Sequence, residues 1–298
     1  MSDAVGAVGA VYDRGYRPYD GPRRGRGGTV AALFVASIRR ALGIRRSWRQ
    51  KVFPWVLLAI VTVPAVVNVG IGYVTRDTPA EGFSFITYRE YVGVSSALLL
   101  FVALTAPDVV CPDRRHRVLS LIFARPLVGH DYVLAKVGAV TTIVFGFSIL
   151  PQVVLFVGQM LVSDGALDYL RDNAEVLWQV PVAAGLLAVY YATIGVVVAS
   201  LTSRRIVAGV ALLALALVPS VVTGAVIAND ADESSPVAVL DLLSLPLHLR
   251  DVVFLGHVDP DSPLGGVSAG GLMAAGMYTL VLVAAVAILL LRYREPDA

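Results

Sequence analysis

Residues 111–136 read CPDRRHRVLSLIFARPLVGHDYVLAK. Four arginines, two histidines, two aspartates and a lysine stand together in a chain that is 57% hydrophobic and only 15% charged. Guanidinium groups at this density bind anions or the acidic rim of a partner. Asp113 is placed to cap a short helix. Val118, Leu119, Ile122 and Phe123 would form one apolar ridge of that helix, ringed by Arg114, Arg115 and Arg117. Arg125 and Pro126 follow, and the proline ring blocks continuation of the helix. A short apolar ridge with a charged rim is a surface that a partner's groove can bury. The plainer alternative is a basic loop whose arginines only set membrane orientation.

The rest of the chain narrows the chemistry further. A phosphate-binding loop needs glycines ending in Gly-Lys-Ser/Thr, so that backbone amides and a lysine cradle the phosphates. Lys51 follows Arg-Gln and Lys136 follows Leu-Ala, so neither fits. No H-E-x-x-H motif occurs. His116, His130, His248 and His257 have no metal-ligand spacing, and Cys111 is the only cysteine. These absences weaken the reading as an integral-membrane enzyme, and no cofactor is expected in this chain. Any nucleotide-driven work would fall to a second chain.

The elements that must position residues 111–136 are apolar helices. Mean hydropathy is +0.74 over 298 residues, more apolar surface than a soluble core can hide. About 20 apolar residues cross a bilayer core of about 30 Å. Six segments qualify, at 52–74, 92–110, 133–162, 180–201, 206–228 and 269–291. The third is long for an upright span and carries Pro151, which predicts a tilt or a kink. The expectation is an all-α integral membrane protein with a permease domain over 52–291.

Residues 1–28 form an Arg-, Tyr- and Gly-rich tail with no apolar run of signal-peptide length, which predicts an uncleaved, cytoplasmic N-terminus. Residues 29–51 pattern as an amphipathic helix lying in the membrane interface, with Val30, Leu33, Phe34, Ile38 and Ala41 on its apolar face. A plain stop signal ahead of the first span is the alternative. Residues 229–268 are amphipathic but too short and polar to span, and Pro246 divides them. They read as a re-entrant external segment of two short helices, or as a small folded cap. Residues 292–298 form a second cytoplasmic tail.

Charge orients these segments. Twenty of the 24 lysines and arginines fall at one end: eleven before the first span, five at 114–136, and Arg204, Arg205, Arg292 and Arg294. Only Arg76, Arg89, Arg171 and Arg250 fall at the other end, together with 14 of the 22 acidic residues. The basic end is therefore expected to be cytoplasmic. Only two of the 24 are lysines, a bias that hints at a GC-rich bacterial genome and hence a bacterial plasma membrane. A carboxylate or histidine at mid-membrane, usual in a proton- or sodium-coupled carrier, is missing. Asn68, Gln152, Gln159, Tyr190 and Tyr191 are the polar groups left to line a candidate substrate path.

Residues 113–136 resemble the inner loop of type-2 ATP-binding cassette (ABC) transporter permeases. The resemblance rests on Asp113, Arg115, Leu119, Arg125, Pro126, Leu127, Tyr132 and Lys136, which run from an Asp-x-Arg pair through a short helix and Arg-Pro-Leu to an aromatic and a lysine. The tail YDRGYRPYDGPRRGR at 12–26, with Tyr12, Tyr16 and Tyr19, is similar to the tail of actinobacterial permeases of this type. The six-span layout matches along nearly the whole chain; Cys111-Pro112 departs from the pattern. The resemblance implies an ATPase-coupling role for Asp113, Arg114, Arg115, Leu119, Ile122, Phe123, Arg125, Pro126, Leu127, Tyr132 and Lys136. It implies partners too: cytoplasmic ABC ATPase subunits that bind ATP and Mg, and a second permease subunit, with no nucleic acid. Export of a drug-like or lipid-like amphipathic substrate is the implied function; a lipid or polysaccharide flippase would use the same engine.

The orientation is tested by labelling. With Cys111 replaced, a cysteine at Asp232 should react with a membrane-impermeant reagent in intact cells, and one at Arg117 only in opened cells. Labelling of position 232 in opened cells alone would reverse the assignment.

Overall fold

The structure is a computed structural model that describes residues 25–43, 48–76, 86–92, 95–124, 126–229 and 235–294. The tail tyrosines 12, 16 and 19, and Arg125, lie outside the described residues. The described secondary structure is helical: α1 (Arg26–Ala41), α2 (Trp48–Thr75), α3 (Tyr88–Tyr91), α4 (Ser95–Arg115), α5 (Leu119–Phe123), α6 (Gly129–Val162), α7 (Ala166–Asp172), α8 (Val176–Leu201), α9 (Arg205–Ala228), α10 (Leu245–Leu255) and α11 (Gly270–Arg292), with a 3-10 turn at Pro236–Leu240. Six of these, α2, α4, α6, α8, α9 and α11, are long and apolar enough to cross a membrane. The protein is a multi-pass membrane protein.

Burial separates the six. α8 and α4 are central, while α2, α9 and α11 expose most of their surface. Small residues let the central helices approach. Ala183, Ala184, Ala188 and Ala192 on α8 are fully buried, and so are Ala106 on α4 and Ala139 on α6. Phe101 of α4 stacks on Phe147 of α6 with ring centroids 4.1 Å apart. α6 has 34 residues, about 51 Å at 1.5 Å per residue. That exceeds a bilayer core of about 30 Å, so one end projects or the helix tilts. Pro151 is buried within it without interrupting it.

Two expected elements are redrawn. The amphipathic segment forms a helix only over Arg26–Ala41, and residues 48–51 already belong to α2. Ser37 and Ala41 are buried, Leu33 and Ile38 pack on the core, and Phe34 lies against Gly138 of α6. Much of the apolar face is thus used against the bundle. In the 229–268 segment, Pro246 does not break a helix; it lies in the first turn of α10, where a missing N–H costs nothing. Asp241 organises the approach: its carboxylate accepts from the Leu243 and Ser244 amides (2.9 and 3.3 Å) and from the Ser244 and Ser220 hydroxyls (2.7 and 3.1 Å). Gly256, at φ 77°, closes the helix in a left-handed conformation that a side chain disfavours.

The acidic end is held by ion pairs. Arg89 bonds Asp259 at 2.6 Å, Arg250 bonds its neighbour Asp251 at 2.7 Å, and Arg76 bonds Asp164 at 2.5 Å. Backbone donation from Asp261 is the main reason that Asp259 titrates below the usual carboxylate range. α10 packs on α8 and α11 and buries His248, whose two ring nitrogens have no hydrogen-bond partner.

Burial lowers the His248 pKa below its ordinary 6.5; Arg250 adds to the effect, while Asp251 and Asp241 oppose it. An opened α10 would bind this proton near pH 6.5, and the packed one only at lower pH. Packing should therefore be fully held above about pH 6.5 and weaken as pH falls below it. Hydrogen exchange of residues 245–255, corrected for intrinsic rates, should rise from pH 7 to 5.5 in the native chain and stay flat in His248→Phe. Equal slopes in both would exclude His248 as the group responsible.

Candidate functional site

The basic end is built around Asp113. α4 runs on to Arg115, five residues past its expected end at 110, so Asp113 sits in the last turns of α4 and does not cap the next helix. It is 2% exposed. One carboxylate oxygen accepts from Arg40 of α1 at 2.5 Å. The other takes Lys136 of α6 at 2.6 Å and the Tyr132 hydroxyl at 3.1 Å. Lys136, equally buried, also donates to the Val109 carbonyl at 2.9 Å and stands 5.3 Å from the centre of the Tyr132 ring. A buried charge survives only when paired and hydrogen-bonded, and here both charges are.

Tyr132 carries the cluster onward. Its ring meets Tyr293, just past α11, at 4.8 Å and Phe123 of α5 at 6.0 Å. Burial raises the Tyr293 hydroxyl above its ordinary pKa. Gly129 is required by the same contact, since a side chain there would collide with the Tyr293 carbonyl. Arg26 of α1 forks onto Asp131 at 2.7 and 2.9 Å and also reaches His130. Asp131 accepts the Val128 amide at 3.2 Å, closing the start of α6. Arg114 and Arg292 both donate to the Ser200 carbonyl near the end of α8, Arg292 at 2.9 Å. Cations at a helix C-terminus complement its dipole.

The sequence-expected coupling residues therefore divide into two sets. Asp113, Leu127, Tyr132 and Lys136 are buried. Leu119, Ile122 and Phe123 pack against the core, so the expected ridge faces the bundle. Arg114 bonds inward, whereas Arg115 and Pro126 are exposed beside His116 and Arg117. The outward apolar residue of α5 is Leu121, 70% exposed, which sequence reading missed. Arg40 and Tyr293 were missed too. A signal existed for Arg40, because it follows Leu33 by seven positions and so shares that residue's helical face. Arg117 turns the chain between α4 and α5 at φ 51°, unusual for a residue with a side chain.

The candidate path residues each have partners of their own. The Asn68 and Gln152 amides approach the Ile86 and Tyr88 carbonyls, each at 3.5 Å. Tyr191 donates to the Leu243 carbonyl at 2.6 Å, and Tyr190 stacks on Tyr278 at 5.3 Å. Gln159 is partly buried near the end of α6. A separate crevice of about 430 Å³ opens at the basic end between α2, α4 and α9. Pro54, Leu100, Leu213 and Gly209 help line it, and Asp108 and Arg205, paired at 2.6 Å, form its polar edge. Gly209 is needed for closeness, since a Cβ would come within 2.8 Å of the Ala103 carbonyl. Among the described residues no three His, Cys, Asp or Glu side chains converge.

Compared with known protein families, the chain matches no family profile, and no curated protein is similar to it.

Removing Asp113 alone leaves Lys136 charged and buried without its counter-ion. Asp113→Ala should lower unfolding stability in detergent by about 3–5 kcal/mol. Asp113→Leu with Lys136→Met removes both charges and should lose less than Asp113→Ala alone. A double variant as damaged as the sum of its single changes would mean that the pair is not the source of the loss.

Proposed function

We propose that this chain is the membrane-spanning subunit of an ATP-driven exporter of the type-2 ABC kind, in a bacterial plasma membrane with both termini cytoplasmic. Two such subunits, identical or related, face each other, and a separate ATPase chain that binds ATP and Mg docks beneath each. The observation that carries this reading is the short connection from α4 to α6, partly exposed at 115–124, whose stems are joined by buried ionic contacts. Arg115, Arg117 and Leu121 point outward, while Asp113 on one stem and Tyr132 and Lys136 on the other are bonded to each other.

A rigid attachment is what force transfer needs. Closure of an ATPase pair displaces α5; because its stems are the ends of α4 and α6, those helices tilt with it, and α8 follows through the Arg114 bond to Ser200. The crevice bounded by Asp108 and Arg205 suits an amphipathic substrate, with apolar walls for its body and an ion pair for its polar head. α1 extends the platform: its apolar side rests on α6 and its exposed Arg39 is available to anionic headgroups.

Copurification tests this. Pulled from native membranes, the wild-type chain should bring down an ATPase with a phosphate-binding loop; a chain that consistently purifies alone overturns the proposal. Leu121→Asp combined with Arg115→Glu should leave insertion intact and reduce ATPase recovery at least about tenfold, because a buried leucine anchor contributes roughly 1.5–3 kcal/mol. Unchanged recovery would place the docking surface elsewhere.

A further inference from the structure

The crevice at the basic end has a charged edge and an apolar slot at different depths. Arg205 is the first residue of α9, and Leu213 lines the same crevice eight positions on, about 12 Å along the helix axis. The ion pair of Arg205 with Asp108 therefore stands where the span enters the membrane, and the slot runs from it toward the hydrocarbon core. The slot is open to the side. Ile206 is 82% and Val210 60% exposed on the outer surface of α9, where hydrocarbon would meet them. Both charges of the edge are accessible from the crevice: the Asp108 side chain is 28% exposed and that of Arg205 38%. Arg205 meets Asp108 through one Nη atom and touches no other acceptor among the described residues. A guanidinium carries five N–H donors, so most of its bonding capacity is left for whatever fills the crevice.

We propose that this crevice holds one phospholipid of the leaflet at the basic end, with a head that joins a phosphate to a primary ammonium, as in phosphatidylethanolamine. The phosphate lies on Arg205 and the ammonium on Asp108. The first part of an acyl chain lies in the slot along Leu100, Leu104, Val210 and Leu213. Opposite charges side by side select a zwitterion. A purely anionic head would gain Arg205 but face Asp108, and a purely cationic one would do the reverse. The walls select the kind of cation. None of the lining residues is aromatic, so a trimethylammonium head finds no ring to stack on and has no N–H to donate. A primary ammonium donates to the carboxylate in a charge-assisted bond. The lateral opening selects a lipid over a solute, because the molecule enters from the bilayer with its tails still in hydrocarbon. The volume of about 430 Å³ falls within the roughly 300–1,000 Å³ of small-molecule sites and takes the head and the start of one chain. The proposal deepens the transport reading and rests on it for one point, that the occupant of this crevice is what the protein moves. Binding is measured on the chain alone, whereas the transport reading is tested by ATPase recovery, so either can fail without the other.

The test titrates the full chain, delipidated in detergent, with dioleoyl lipids bearing ethanolamine, choline or glycerol phosphate heads, and counts bound lipid by native mass spectrometry. One ethanolamine lipid should bind at least about tenfold more tightly than either of the others. Arg205→Gln should weaken it at least about tenfold, and Asp108→Asn should remove its preference over the glycerol lipid. Val210→Trp, on the lipid-facing wall and outside the ion pair, should abolish the tight site, and it decides the matter if the charge variants do not fold. Glycerophosphoethanolamine, the head without its tails, should fail to displace the lipid at equal concentration. Equal binding of the three lipids would make the crevice a slot for any acyl chain and overturn the proposal. So would tight ethanolamine-lipid binding retained by Val210→Trp or by Arg205→Gln. Displacement by the tail-free head would assign the site to a soluble ligand and overturn it too.

Discussion

The arrangement at the basic end depends on one buried salt bridge, Asp113 to Lys136, between α4 and α6. An isolated carboxylate or ammonium in such surroundings is costly, and direct attraction alone often fails to offset the loss of water. What makes the pair tenable is that its remaining bonding capacity is filled. Asp113 also receives Arg40 and Tyr132, and Lys136 also reaches the Val109 carbonyl and the face of Tyr132. Each added bond recruits another element, so α1 and, through Tyr293, the end of α11 converge on the same point. Any movement that parts α4 from α6 here would expose two unpaired charges to an apolar interior. The two stems therefore move together or not at all.

Hydropathy made the six long helices legible because a bilayer core imposes length and apolarity at once. α9 and α11 were placed within one residue at both ends, while α2, α6 and α8 begin four residues earlier than their apolar runs. α4 ran five residues longer than its apolar stretch, because Arg114 and Asp113 found partners inside the bundle and the helix did not need to stop at the polar boundary. The same fact explains the error over Asp113. An aspartate followed by a short apolar run has the local pattern of a cap, and only the three-dimensional neighbour Lys136 shows that it is an ion-pair partner. Periodicity found the apolar face of α5 but not its direction. A ridge turned toward the bundle and one turned toward a partner have the same sequence, and Leu121 became visible as the outward residue only once α5 was seated.

The polar residues within the spans were harder to interpret. Read as a set, Asn68, Gln152, Gln159, Tyr190 and Tyr191 suggested one path, yet their partners separate them. Asn68 and Gln152 turn to the 86–88 backbone, while Tyr191 turns to the segment leading into α10. Polar groups inside an apolar bundle bond to whichever carbonyl lies within reach, and that local need is enough to retain them. The pairing of each atom, rather than residue type, shows what the bundle satisfies: among these residues the Gln152 side-chain oxygen and the Tyr190 hydroxyl are buried without a partner.

Arginine has different uses at the two ends, and this refines the charge bias seen in the sequence. At the acidic end all four arginines have carboxylate partners: Arg76 with Asp164, Arg89 with Asp259, Arg171 with Asp168 and Arg250 with Asp251. Each pair cancels one positive and one negative charge, so the net acidity of that end comes from the carboxylates in excess of these arginines. At the basic end Arg40, Arg205 and Arg26 are also paired, and Arg114 and Arg292 hold the Ser200 carbonyl. Several arginines that a simple count assigns to orientation are therefore structural. Arg39, Arg115, Arg117, Arg204 and Arg294 remain exposed among the described residues, and of these Arg115 and Arg117 share one short stretch with the exposed Leu121. A surface combining fixed position, concentrated charge and one protruding apolar side chain is more specific than a diffuse basic face. An anionic membrane would meet all the exposed arginines alike, whereas a partner with an acidic rim around an apolar pocket would select this stretch.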